Sequence, residues 1–300
     1  MSRDSIGKTF GVTIALCVVC SSLVALAAVS LKERQDLNKK LDKQKNVLFA
    51  AGLAGVEAKN DDIAEIFEKR IVKKLLDLNT GQFATQEQMD ELGITDLDKF
   101  NAESLAKFSS KDKELAKKHR ILLKEEGITD IASLKTRENF SLLYFVRSED
   151  GKAIETVIFP VKGKGLWSTL LGFIAVDLDL NTVRGITFYS HAETPGLGGE
   201  VDNFKWKATW EGKQIFATNG TDEKVAVALG LVKGSADKEN PHEIDGLSGA
   251  TLTANGVTNL VKFWFGENGF QKFIQAVQKD PTIISDIAHE KSVSQKTEDN

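Results

Sequence analysis

Apolar positions change their spacing along this chain, and each change predicts a different element. From residue 10 to 31 no residue is charged, and Val, Leu, Ala and Ile dominate. As a helix that run would be about 33 Å long, enough for a hydrocarbon core of about 30 Å. It is read as a membrane-spanning helix behind a tail at 1–9. Ala25-Leu26-Ala27 resembles a signal-peptide cleavage site, but a signal core usually runs about 7–15 residues, shorter than this stretch. A charged stem is expected over 32–60.

Over 61–78, Ile63, Ile66, Phe67, Val72, Leu75 and Leu76 recur at three- and four-residue spacing. The stripe predicts a helix, with Asp61 as N-cap and Asn79-Thr80-Gly81 as its stop. From 84 to 138 Lys, Asp and Glu crowd out long apolar runs, so a solvent-facing helical insertion is expected. Within it Gly93-Ile94-Thr95-Asp96 recurs as Gly127-Ile128-Thr129-Asp130, too short to define a repeat array. Residues 141–146, 153–161, 167–178 and 183–189 are short, β-branched or aromatic, and separated by turn signals such as Asp150-Gly151 and Asn181-Thr182. They predict strands in an antiparallel meander. Residues 252–265 and 270–277 return to helical spacing, and 281–300 reads as a polar tail. The expected fold class is α+β, an antiparallel sheet with packed helices, in a soluble domain spanning 61–280.

Composition narrows the function classes. The chain is 41% hydrophobic and 27% charged, with a net charge of −4. That is ordinary for a folded protein and gives no electrostatic footprint for nucleic acid. Both cysteines, Cys17 and Cys20, lie in the apolar run, so the soluble part has no disulfide of its own. The histidines at 119, 191, 242 and 289 lack metal-ligand spacing; only His191 lies near a motif. Orientation stays open on charge alone. Arg3 and Lys8 precede the apolar run, while Lys32, Arg34, Lys39, Lys40, Lys43 and Lys45 follow it. This bias favours a cytoplasmic C-terminal side, but long domains translocate largely regardless of charge.

Two segments carry candidate chemistry. Asp245-Gly246-Leu247-Ser248-Gly249-Ala250-Thr251 immediately precedes a helical pattern. Small residues there let backbone N–H groups approach a ligand, and a helix start suits a phosphate. A helix end contributes about 0.3–1 kcal/mol, up to about 2 in favourable geometry. That is too little to retain an exposed cofactor, which a covalent bond would do. The plain alternative is a Ser/Thr cap with a Gly turn. The second segment, Glu193-Thr194-Pro195-Gly196-Leu197-Gly198-Gly199-Glu200, follows a strand. Val201 stands where a dinucleotide fingerprint needs its third glycine, so the loop is either a β-turn without a ligand or part of another kind of site.

Taken together, these segments resemble the FMN-binding domain family. Asp245-x-x-Ser248-Gly249-Ala250-Thr251 resembles the target pattern of flavin transferases, Glu193-Thr194-Pro195-Gly196-Leu197-Gly198 its companion loop, and Gly163-Lys164-Gly165-Leu166-Trp167 a third element. Behind an N-terminal anchor, and with Leu41-Asp42-Lys43-Gln44 and Trp264, the set is similar to the C-subunit family of sodium-translocating NADH:quinone oxidoreductases. The resemblance implies FMN esterified to Thr251 by a separate magnesium-dependent flavin transferase using FAD. Ser248, Gly249 and Ala250 would shape the phosphate turn. Glu193, Thr194, Leu197 and Gly198 would border the ring, with Leu166 and Trp167 nearby. It further implies a single-pass protein of the bacterial inner membrane with a periplasmic soluble domain. There the chain would be a one-electron relay within a membrane redox assembly of six subunits, whose sodium transport lies elsewhere. No metal and no catalytic acid–base residue is implied.

Three rival readings remain at this level, one of them a non-redox membrane adaptor whose turns bind nothing and which would be colourless. The homologous flavin subunit of the ferredoxin:NAD electron-transfer complex shares the anchor, the loop and the threonine; the Gly163–Trp167 segment and the extra length favour the sodium-translocating family. Gly246-Leu247-Ser248-Gly249-Ala250 nearly fits the elbow of a serine hydrolase, but Ala250 stands in place of its last glycine.

Overall fold

The computed structural model describes residues 6–55, 59–97, 100, 118–218 and 224–289. The chain divides into two compact units, Met1–Lys43 and Gln44–Asn300. Helix α1, Ile6–Ala50, is long and apolar enough over its N-terminal portion to cross a membrane. It begins inside the stretch expected as a tail and ends at Ala50, within the expected stem.

The second unit is built on a six-stranded antiparallel sheet. After α2 (Asn60–Arg70) the chain forms β1 (Ile71–Asp77), β2 (Gln82–Phe83), the short α3 (Gln86–Glu91), β3 (Arg120–Leu122) and β4 (Thr136–Glu138). Four longer strands follow: β5 (Phe140–Arg147), β6 (Ile154–Lys164), β7 (Thr169–Asp177) and β8 (Val183–Ser190). The sheet order is β2-β1-β5-β6-β7-β8, so the expected meander forms its larger half. Beyond β8 come a 3₁₀ turn (Gly198–Asp202), α4 (Phe204–Ala208), β9 (Phe216–Thr218), β10 (Lys224–Val227), β11 (Gly230–Leu231) and β12 (Glu243–Ile244). Helices α5 (Thr251–Phe265), α6 (Gln271–Lys279) and α7 (Thr282–His289) complete the described chain.

Both faces of the sheet are buried, which is why its strands read as nearly continuous apolar runs. Leu143, Phe145, Val157, Phe159 and Ile174 face α5 and α6, packing with Val257, Leu260, Val261 and Phe273. Leu142, Tyr144, Ile158 and Phe173 face the other way, onto Val47, Leu48 and Ala50 at the end of α1 and Ile63 and Phe67 of α2. Each fully buried large apolar side chain stabilises the fold by about 1.5–3 kcal/mol. Two interior polar pairs join the layers. Thr187 on β8 donates to Asn46 Oδ1 at 2.8 Å, and Trp264 Nε1–H on α5 donates to the Lys162 carbonyl on β6 at 2.7 Å.

The structure corrects the expected helix at 61–78. Helix α2 stops at Arg70, whose side chain donates to the Arg147 carbonyl at 2.5 Å and to Glu155 at 3.0 Å. Residues Val72, Leu75 and Leu76 instead lie on β1, which pairs with β5 from Ile71↔Val146 to Asp77↔Phe140. Long-range pairing of a segment opening with β-branched Ile71 and Val72 overrides its helix-compatible spacing. Asp61 lies inside α2, and Lys59 holds the N-cap position without a side-chain hydrogen bond. Asn79-Thr80-Gly81 is a turn after a strand. Gly81, at φ +76°, packs so closely on α6 that an added Cβ would sit 2.7 Å from Lys272 backbone carbon.

Of the helical insertion expected at 84–138, the described residues hold α3, helical residues at Lys118–His119 and the antiparallel β3–β4 pair. Its two Gly-Ile-Thr-Asp sequences share one local geometry. Gly93 and Gly127 both have φ +68°, and Ile94 and Ile128 donate to the carbonyls five residues back, of Met89 and Leu123, at 2.8 and 2.9 Å. This is the Schellman closure of a helical turn. Residues 101–117 and the tail beyond 289 lie outside the described residues, while 282–289 of the expected tail form α7.

Candidate functional site

Three sequence-distant segments meet at the N-terminal end of α5. Gly256 is the reason α5 can approach the end of β6 so closely: a Cβ there would lie 2.3 Å from the Lys164 carbonyl oxygen. Gly163 does the same about a turn further along the helix, against Leu260. These contacts bring the turn after β6, carrying Leu166 and Trp167, beside the first turn of α5. Gly249, at φ +69°, faces Leu197 of the 193–200 loop, which lies 3.0 Å from where its Cβ would be.

Thr251 is the first residue of α5 and is exposed. Its N-cap, Ala250, is buried and makes no side-chain cap hydrogen bond. The first-turn N–H groups, which have no intrahelical acceptor, are therefore left without a side-chain cap. Ser248 and Gly249 are exposed, and Ala250 N–H donates to the Leu247 carbonyl at 3.0 Å to close the turn. Asp245 lies further back, accepting from Ala236 N–H at 2.7 Å, while its carbonyl accepts from Trp206 Nε1–H at 2.9 Å.

Large apolar side chains stand in solvent around Thr251: Trp167 is 66% exposed, Leu252 60%, and Leu166 and Leu197 43% each. A folded domain leaves such a cluster open where something else covers it. A planar, amphipathic group with a phosphate at one end fits this arrangement. The apolar side chains would cover its ring, and the Thr251 hydroxyl and the uncapped amides would meet its phosphate.

Glu193 sits beneath this surface, 5% exposed. Its carboxylate accepts from Leu166 N–H at 3.1 Å, Trp167 N–H at 3.0 Å and Ser168 N–H at 3.0 Å. The Ser168 and Thr253 hydroxyls add bonds at 3.3 and 2.6 Å. Burial works to raise its pKa, but the Thr253 hydroxyl and the three amides outweigh it and hold the carboxyl below the ordinary glutamate value. Thr194 is exposed, and its carbonyl accepts from Leu197 and Gly199 N–H at 3.1 and 2.9 Å. Gly198 is buried against Glu193 and Thr253.

His191 closes the loop from behind. Nδ1 accepts from Glu193 N–H at 3.2 Å, so Nε2 carries the proton donated to Asp202 at 2.7 Å. Lys207 pairs with the same carboxylate at 3.5 Å; burial lowers its pKa and Asp202 opposes that. With both ring nitrogens occupied, His191 offers no base to Ser248, and the hydrolase reading loses its nearest partner.

Every residue expected from sequence at the site thus falls on these three segments. Sequence reasoning missed Ser168, Thr253 and Gly256. Their bonding and packing partners lie between 24 and 92 residues away along the chain, so no local spacing marked them.

Known proteins resemble this chain over the region that holds the site. Residues 165–266, which span all three segments, match the FMN-binding domain family. The chain is 42% identical to the C subunit of the Na(+)-translocating NADH-quinone reductase of Yersinia pestis, over 93% of this chain and 95% of that one. It is 42% identical to the protein of the same name from Pseudomonas aeruginosa, over 93% and 98%. Among solved structures, NqrC of Shewanella oneidensis superposes with a TM-score of 0.68 at 32% identity, covering 81% of this chain and all of that one.

Proposed function

We propose, on the premise that this chain belongs to the C-subunit family of the Na(+)-translocating NADH-quinone reductases, that it carries single electrons within such a membrane complex by means of FMN held as a phosphoester on Thr251. The observation that carries the reading is the exposed Thr251 hydroxyl on an uncapped first helical turn, ringed by exposed Trp167, Leu252, Leu166 and Leu197.

When bound, FMN supplies the one-electron chemistry; the protein supplies attachment, orientation and electrostatics. Thr251 Oγ1 would take the FMN phosphoryl group from FAD on a separate magnesium-dependent flavin transferase, losing its proton as AMP leaves. Ser248, Gly249 and Ala250 shape the turn, and the free amides of α5 would meet the phosphate. Leu166, Trp167, Thr194, Leu197 and Gly198 would border the ring, with Glu193 supporting them from inside. The helix end alone is worth about 0.3–1 kcal/mol, so retention rests on the covalent bond. The chain has no dinucleotide fingerprint, and in this reading NADH oxidation and sodium transport belong to other subunits of a six-subunit assembly. Helix α1 anchors the chain in the inner membrane, with the domain on the periplasmic side.

The test is an intact-mass measurement of the full chain produced together with a flavin transferase. A mass increased by one FMN is expected, and the bare polypeptide would overturn the proposal.

A further inference from the structure

We infer that Glu193, Thr253 and Ser168 form a positioning clamp, which fixes the acceptor threonine against the flavin-bordering turn without touching the flavin. The inference rests on the reading that Thr251 is the attachment site. A carboxylate has about four lone-pair sites, and those of Glu193 are already met by five protein donors: the Leu166, Trp167 and Ser168 amides and the Ser168 and Thr253 hydroxyls. No acceptor capacity remains for a cofactor, and the residue is only 5% exposed.

Glycines on two of the site's segments make room for this clamp. A Cβ at Gly165 would fall 2.6 Å from Glu193 Oε1; one at Gly198 would fall 2.6 Å from Thr253 Oγ1 and 2.8 Å from Glu193 Oε2. A further bond locks the assembly, since Ser168 Oγ also accepts from Ala192 N–H at 2.7 Å. The one carboxylate therefore ties the turn at 165–168 to the 192–198 loop and, through Thr253, to α5 two residues after Thr251. Releasing it lets the Thr251 hydroxyl and the Leu166–Trp167 turn move independently.

The experiment uses the full chain in detergent with a flavin transferase, FAD and magnesium. It follows flavin attachment per folded chain, and the visible circular dichroism of the attached flavin. Glu193→Gln sets an amide NH₂ against backbone donors; Thr253→Val removes a single bond at nearly constant volume; Thr253→Ser restores the hydroxyl. Glu193→Gln and Thr253→Val are expected to slow attachment on the order of tenfold or more, the scale of a misplaced reacting group, and to change the dichroism. Thr253→Ser should return to within about twofold of the wild type. A loss of thermal stability alone, with attachment rate and dichroism unchanged in the folded variants, overturns the clamp. So does Thr253→Ser behaving like Thr253→Val. If Glu193→Gln does not fold, the two Thr253 variants decide. A labelled Thr251→Ala control would instead overturn the attachment site, so the two failures are distinguishable.

Discussion

Gly256 on α5 lies directly against the Lys164 carbonyl of β6, with no room for a methyl group: a Cβ would stand 2.3 Å from that oxygen. The contact sets how close the start of α5 comes to the turn that carries Leu166 and Trp167. Gly256→Ala gains about 1 kcal/mol of helix propensity but meets unyielding backbone, and overpacking costs about 1–3 kcal/mol. Against a backbone oxygen at 2.3 Å the cost falls at the upper end of that range, so a net loss of about 2 kcal/mol is expected, with slower flavin attachment. At about 2–4 °C per kcal/mol for a domain of this size, the melting temperature should fall by several degrees. An unchanged or higher value would show that the layers can separate freely here.

Acid should weaken the fold through Glu193. Its folded pKa lies below the ordinary 4.5, so the unfolded chain binds the extra proton first as pH falls. The stability it contributes is complete above that ordinary value and is lost as pH drops through the folded value. Glu193→Gln should cost about 1–3 kcal/mol at neutral pH, the penalty of a mismatched buried partner. It should also flatten the fall in stability below pH 4.5. Urea midpoints of both proteins from pH 7 down to about pH 3 check the sign. A variant with the same acid slope as the wild type would rule it out.

Thr251→Ala should abolish covalent flavin, read as loss of in-gel fluorescence after denaturation. Ser248→Ala should retain some of it, because Ser248 is exposed in the turn and, in the proposed reading, shapes the turn without forming the bond. Fluorescence persisting in Thr251→Ala would move the attachment elsewhere.

The end of α1 belongs to the folded domain. A chain starting at Gln44 should fold, whereas one starting at Gly52 should lose Val47 and Leu48, both 0% exposed, at about 1.5–3 kcal/mol apiece. It would also leave the 1%-exposed Thr187 without Asn46. Denaturant titration of the two fragments distinguishes them, and equal midpoints would contradict the packing.

What the sequence revealed follows from which signals are local. Strands β5 to β8 and helix α5 were legible because each is an apolar run bounded by its own turn residues. Strand β1 was not, since Val72, Leu75 and Leu76 suit a helix as well as a strand until β5 supplies a partner. Helix α7 was hidden in a polar stretch, held by Ile284 and Ile287. At the site, the three motifs could be recognised in order but not joined. What joins them is a buried carboxylate whose donors lie 25 to 60 residues away. A lone Glu before Thr-Pro-Gly gives no local sign of that.

The bare helix start at Ala250 has one more implication. A phosphodiester on Thr251 would place a permanent negative charge where a capping side chain usually stands, so modification also finishes the helix. Chains that miss it keep an uncapped end beside open apolar side chains, and are the ones a housekeeping protease should select. Limited proteolysis of labelled and unlabelled protein should show the unlabelled form cut sooner near residue 250. Equal lifetimes would mean that the flavin adds chemistry but no durability.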